Sequence, residues 1–176
     1  FQFCDPRRPG TLVPCAGQHI RWEFMINPGD DYAAMEDPNA VRAMMQPYLH
    51  HLGPNIGTED GQILRSKVYQ FHALLATRLR ANRVFLMGDA AHQMPPFLGQ
   101  GMCAGLRDAE NLVWKLAGVL QGRYASSLLD SYHSERYAHV RTVIKQAVQI
   151  GEIIQTRNTV KAFMRDTFLR LSLIHI

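Results

Sequence analysis

The spacing of apolar and polar positions changes character along the chain. Turn signals at Arg8-Pro9-Gly10 and Asn27-Pro28-Gly29 bracket residues 19–26, where Ile20, Trp22, Phe24 and Ile26 alternate with Arg21 and Glu23. A period of two is that of a strand with one buried face, so residues 1–35 are predicted to be extended. Asp37 followed by Pro38 is an N-cap with proline at the first helical position. Val41, Met44, Met45 and Tyr48 then supply an apolar stripe, Gly53 a stop, and Pro47 a kink or split inside the helix.

Residues 62–76 are again predicted to be extended, with Tyr69 and Phe71 on one face. Residues 83–87 form a short apolar run between polar flanks, the pattern of a strand covered on both sides. The run leads into Gly88-Asp89-Ala90-Ala91-His92 and a loop rich in proline and glycine up to Gly101. The period then becomes helical. Leu106, Ala109, Leu112/Val113, Leu116 and Val119/Leu120 are predicted to share one buried face, closed by Gly122. Two more helices are predicted at 127–137 and 138–154, and the apolar end 171–176 is given no role.

Composition narrows the class. Of 176 residues, 47% are hydrophobic and 19% charged, which predicts a packed core and excludes a disordered chain. No apolar run approaches the roughly 20 residues of a membrane-spanning helix, and no signal peptide is expected. Cys4, Cys15 and Cys103 form no CxxC pair, so a reducing cytoplasmic compartment is expected. Residues 1–110 carry ten Lys/Arg against eleven Asp/Glu, and residues 111–176 carry nine against four. The excess (Arg136, Arg141, Lys145, Arg157, Lys161, Arg165) is spread along helical patterns without interleaved aromatics. It is read as solvated helix faces, not as a nucleic-acid surface. His50 and His51 are adjacent and cannot share a helix face as metal ligands, so no metal site is assigned. Trp22, Met44, Met45, Met87 and Met94 are read as packing. The chain opens on Phe1 rather than Met, and a piece of a longer protein is expected.

The candidate chemistry lies between Arg83 and Leu116: strand, Gly-Asp turn, proline-stiffened loop, Gly99-Gln100-Gly101, long helix. Two readings are open on these residues alone. Asp89 at the end of a strand can accept hydrogen bonds from ribose or ribityl hydroxyls, glycines admit a flat ring, and the helix start offers unpaired N–H groups. Alternatively, the segment is a plain strand-to-helix turn with Asp89 as its local cap.

The complete string resembles the second FAD-binding motif of the flavoprotein aromatic hydroxylases. That pattern is Gly-Asp-Ala-Ala-His, Pro-Pro, Gly-x-Gly, helix, Asp-x-x-Asn-Leu-x-Trp-Lys-Leu. Here it is carried by residues 88–92, Pro95-Pro96, Gly99 and Gly101, then Asp108, Asn111, Leu112, Trp114, Lys115 and Leu116. Leu129-Asp130-Ser131-Tyr132 with Glu135-Arg136 also resembles this family. Arg21-Trp22-Glu23-Phe24 and Tyr69-Gln70-Phe71-His72 are most similar to its 3-(3-hydroxyphenyl)propionate hydroxylase branch. The resemblance covers residues 10–155 and is strongest over 83–137. It implies an α/β fold class: part of a glutathione-reductase-like FAD-binding domain, part of a substrate-domain β-sheet, and C-terminal helices. Residues 1–80 would be a partial substrate-binding domain and residues 81–176 the C-terminal part of the FAD-binding domain.

The resemblance also implies cofactor contacts at Gly88, Asp89, Ala90, Ala91, His92, Pro96, Gly99, Gln100, Gly101, Met102 and Cys103. Asp89 would hold a ribityl hydroxyl, and Pro96 would lie beside the flavin ring with its carbonyl toward the substrate. The N–H groups of Gly101, Met102 and Cys103 would meet the N1–C2=O edge, which becomes negative on reduction. Several family members have Asn where Cys103 stands, which removes a side-chain contact and leaves the backbone ones. Tyr69, Phe71 and Pro96 are the candidate substrate pocket, with core packing the other reading of the two aromatics. His92 is read as locking the Gly-Asp turn rather than relaying protons. The implied reaction is hydroxylation of a phenolic acid such as 3-(3-hydroxyphenyl)propionate, with FAD as cofactor, NADH or NADPH as reductant and O₂ as oxidant. No side chain is assigned as a dedicated acid or base.

The family's first fingerprint, a strand followed by Gly-x-Gly-x-x-Gly, is absent, and Asp60-Gly61 lacks the context of its Asp-Gly motif. The C-terminal part of a larger monooxygenase is therefore expected, one that holds FAD weakly by itself. The alternatives are another FAD-dependent oxidoreductase or epoxidase of the same superfamily, and a non-catalytic remnant that binds no flavin.

Overall fold

The computed structural model describes residues 1–173. Residues 174–176, part of the apolar end without an assigned role, lie outside the described residues. The strands are β1 (Gln2–Phe3), β2 (Gly10–Pro14), β3 (Ile20–Phe24), β4 (Leu74–Leu75), β5 (Arg80–Ala81), β6 (Val84–Phe85) and β7 (His92–Gln93). The helices are α1 (Tyr32–Met35), α2 (Pro38–Met45), α3 (Gly101–Leu120), α4 (Asp130–Ile154) and α5 (Thr159–Leu173). The chain divides into two compact units, Phe1–Gln70 with Ile153–Ile176, and Phe71–Glu152. Among the described residues no helix is long and apolar enough to cross a membrane.

The first unit is built on an antiparallel sheet of order β1-β2-β3, with Leu12 opposite Trp22. β3 is shorter than the predicted 19–26, and Ile20 at its start is exposed. Trp22 and Phe24 do share a face, and Phe3 stacks on Trp22 at 6.0 Å and on Tyr48 at 4.3 Å. These rings and the buried Leu12 and Leu49 form the packing of this unit. α2 starts as local chemistry dictates: the Asp37 carboxylate accepts from the Asn39 and Ala40 N–H groups. Pro47 ends the α-helix at Met45, and the chain tightens into a 3₁₀ turn over Gln46–His51. α5 is capped by Asn158, and Arg165 donates from it to the Cys4 carbonyl at 2.6 Å.

The second unit packs Leu79, Ala91, Leu112 and Tyr132 at its centre, with Leu75, Phe85, Leu86 and Leu116 around them. Three expectations are corrected here. The strand predicted at 83–87 is only β6, paired antiparallel with β5 through a tight turn in which Asn82 takes φ +54°. Val84 is 62% exposed, because no parallel neighbour lies beside it among the described residues. The helices predicted at 127–137 and 138–154 are one helix, α4, since nothing at Tyr137-Ala138 breaks the backbone bonds. Finally, α3 buries Ala104, Asp108, Leu112, Lys115 and Gly118. Leu106 and Val113 from the predicted apolar stripe face outward, as does Leu120, which is 84% exposed. The buried ridge is displaced from the apolar one because it carries two charged residues that find partners on other elements.

Candidate functional site

The Gly-Asp turn follows β6. Met87 is extended, Gly88 takes φ +55°, and Gly88–Ala90 closes a 3₁₀ turn with the Ala91 N–H donating to the Gly88 carbonyl at 2.9 Å. That left-handed conformation favours glycine. A Cβ on Gly105 of α3 would stand 3.4 Å from Gly88 Cα, so the turn lies directly against the helix backbone. Asp89 sits at the exposed tip, and its carboxylate caps no backbone N–H of the turn. The reading of Asp89 as a local cap is therefore set aside.

Beyond the turn, β7 pairs with β4, placing His92 opposite Leu75. Pro95 is buried and Pro96 exposed. Phe97 holds this loop: its ring occupies the space over Gly151 of α4, where a Cβ would come within 2.3 Å of it. Phe71 meets the same ring edge-on, with centroids 5.5 Å apart. α3 then starts without a side-chain cap. The N-cap residue Gln100 instead uses its side-chain oxygen to accept from Arg107 at 3.3 Å. The N–H groups of Gly101, Met102 and Cys103 consequently have no acceptor among the described residues.

Beneath this surface lies a buried ionic cluster that pattern reading missed. Asp108 Oδ2 accepts from the Gly88 N–H at 3.0 Å and lies 2.7 Å from His92 Nε2. Asp108 Oδ1 accepts from Arg136 Nε at 2.7 Å, and Arg136 also donates to the Ala104 carbonyl at 3.3 Å. Burial pushes the Asp108 carboxyl up. The hydrogen bonds from His92, Arg136 and Gly88 outweigh that push and leave it below the usual carboxylate range. His92 thus locks the turn, and its Nδ1 is buried without a partner among the described residues. Asp108 had two signals in the sequence: it stands in the motif string, and it shares a helical phase with Ala104 and Leu112 rather than with the polar positions.

A second polar cluster joins the same two helices. Lys115 Nζ donates to Asn111 at 2.9 Å, and to Ser131 and Glu135 at 2.7 Å each. Hydrogen bonds from Asn111 and Lys115 lower the Glu135 carboxyl to about 2. The expected solvated helix faces are corrected at two positions: Arg136 is buried against Asp108, and the Arg165 side chain is covered in its pairing with Asp166.

The structure places the predicted residues unequally. Gly88, Asp89, Ala90, Ala91, His92, Pro96, Gly99, Gln100, Gly101, Met102, Cys103 and Phe71 all belong to the second unit, and Tyr69 belongs to the first. Burial and the Glu23 carboxylate beside Tyr69 raise its phenol above the usual range. Cys103 is a half-buried free thiol.

An exposed carboxylate and a row of N–H donors without acceptors among the described residues stand on one glycine-rich strand-to-helix segment of an α/β fold. The sequence profile described as the FAD binding domain matches residues 2–147, and the chain belongs to that family. A 3-(3-hydroxy-phenyl)propionate/3-hydroxycinnamic acid hydroxylase of Burkholderia vietnamiensis is 40% identical over 94% of this chain and 29% of its own length. A probable NADH-specific resorcinol 4-hydroxylase of Rhodococcus jostii is 39% identical over 94% of this chain and 30% of its own. Among solved structures, the flavin-dependent monooxygenase PieE in complex with FAD and substrate superposes with a TM-score of 0.69. It is 30% identical, over 85% of this chain and 26% of its own. The chain therefore spans about 30% of the length of the curated relatives it matches.

Proposed function

We propose that the protein carrying this chain is an FAD-dependent monooxygenase that hydroxylates a phenolic acid such as 3-(3-hydroxyphenyl)propionate, using NADH or NADPH and O₂. The observation that carries this reading is the pairing of the exposed Asp89 carboxylate with the acceptor-less N–H groups of Gly101, Met102 and Cys103. A carboxylate that only accepts matches the hydroxyls of a ribityl chain, and donors alone match the carbonyl edge of an isoalloxazine. The residues present therefore fit a flavin. Bound FAD supplies the redox chemistry, drawing electrons from the nicotinamide and activating O₂ for transfer to the ring.

The chain's own groups bind and orient. The α3 N-terminus would present its positive dipole end to the cofactor edge that gains negative charge on reduction. Gly88, Ala90 and Ala91 keep the turn low enough for close approach, and Gly99 and Gln100 lead the loop into the helix. Pro96, held by the seat of Phe97 on Gly151, would offer a rigid wall beside a bound ring, and Phe71, packed on Phe97, would be an aromatic contact for the substrate. In this reading residues 1–80 are a partial substrate-binding domain and residues 81–176 the C-terminal part of the FAD-binding domain. The names of the Burkholderia and Rhodococcus relatives support a phenolic substrate, and the latter supports NADH.

The test is turnover of the full-length protein with 3-(3-hydroxyphenyl)propionate under labelled O₂. The expected result is NADH or NADPH consumption with one labelled oxygen atom in the ring. Label recovered only in peroxide or water, with this and related phenols, would overturn the assignment.

A further inference from the structure

The cluster beneath the turn is placed to control the turn. Asp108 reaches both its ends with one carboxylate oxygen: the Gly88 N–H at 3.0 Å at the start and His92 Nε2 at 2.7 Å at the finish. The other oxygen is held by Arg136 from α4 at 2.7 Å, and Arg136 is itself tied to the Ala104 carbonyl. The Asp108 side chain is fully buried and that of His92 is 1% exposed, so water does not compete for these bonds. Asp89 lies between the two anchored ends, and no cap bond of its own orients it. Its direction is set by the backbone of Gly88–Ala90, and that backbone is set from below.

We infer that Asp108 is the positioning residue of the candidate flavin site: anchored by Arg136, it grips Gly88 and His92 and thereby aims Asp89 at the cofactor. This rests on the flavin reading above. His92 acts here as a donor. Nε2 faces a carboxylate, which only accepts, so Nε2 carries the proton of this bond, and Nδ1 has no partner among the described residues. A side chain with an N–H at the same reach replaces it, whereas one without does not.

A double-mutant cycle on FAD affinity tests this, read by flavin fluorescence on the apo form of the full-length protein. Asp89→Ala is expected to weaken FAD binding by about 10- to 100-fold, the loss of a charge-assisted hydrogen bond. Asp108→Asn, with Asp89 in place, is expected to weaken it about 10-fold. In the Asp89→Ala background Asp108→Asn is expected to change it by less than about 2-fold, because its effect runs through Asp89. His92→Gln, which retains a donor, is expected to bind FAD nearly as the parent does, and His92→Phe to behave like Asp108→Asn. Should Asp108→Asn fail to fold by circular dichroism, the cycle is run with His92→Phe, which leaves the Asp108–Arg136 pair intact. Additive effects, or a His92→Gln variant as impaired as His92→Phe, overturn the positioning role while leaving the flavin reading untouched. A parent that binds no FAD overturns the flavin reading itself.

Discussion

Two polar clamps tie α3 to α4, and they differ in how much water reaches them. At residue 108 the clamp is dry: the side chains of Asp108, His92 and Arg136 are all buried. Two turns further along, Lys115 is just as buried, but its partner Glu135 is 49% exposed on the side-chain surface. The dry clamp also grips the candidate cofactor turn, whereas the wet one joins α3 to α4, with Ser131 donating to the Leu128 carbonyl just before α4. A buried charge pair repays its desolvation only while every partner stays in place. The half-wet pair loses less when broken, because Glu135 turns to solvent. Rigidity is thus concentrated under the site.

The largest effect expected from this contrast is at the dry clamp. Asp108→Ala strands the Arg136 guanidinium and is expected to cost about 3–5 kcal/mol in unfolding free energy, measured by urea denaturation of the full-length protein. The double variant Asp108→Ala/Arg136→Met should recover much of it. A single-variant cost below about 1 kcal/mol would show that water reaches Arg136 and that the clamps do not differ. Lys115→Met comes next, at about 1–2 kcal/mol, since it leaves Asn111 and Ser131 to find other partners while Glu135 hydrates.

The smallest effect is Glu135→Gln, expected below about 1 kcal/mol because solvent screens the pair. Its signature is pH. The folded Glu135 carboxyl is lowered to about 2 from an ordinary 4.5, so the pair contributes fully above about 4.5 and loses its contribution as pH falls toward 2. The difference in Tm between parent and Glu135→Gln should therefore persist at neutral pH and close across that window. A difference that stays constant down to pH 2 would remove Glu135 from the clamp.

Much of the local architecture was open to reading. Asp37-Pro38 starts α2 and Pro47 ends it, as their side chains dictate. Gly101 opens α3, and Gly122 follows its end with φ +69°. The segment from Gly88 to Gly101 adopts a tight turn, a stiff loop and an uncapped helix start. The apolar stripe of α3 misled because it passes over Asp108 and Lys115, whose charge suggests surface positions although their helical phase is that of Ala104 and Leu112. The strand at 83–87 misled because an apolar run says only that cover is wanted, and β6 instead turns back on β5.

What the sequence by itself determined is whatever a residue settles with neighbours three or four positions away, such as caps and proline breaks, together with the motif string that marks the family. What only the tertiary structure decided is which charges are buried. Asp108 is satisfied by His92 and Arg136, 16 and 28 positions away, and Lys115 by Glu135, 20 positions away. A charged side chain leaves water only when such distant partners arrive together in the right geometry, and no spacing along the chain encodes that meeting.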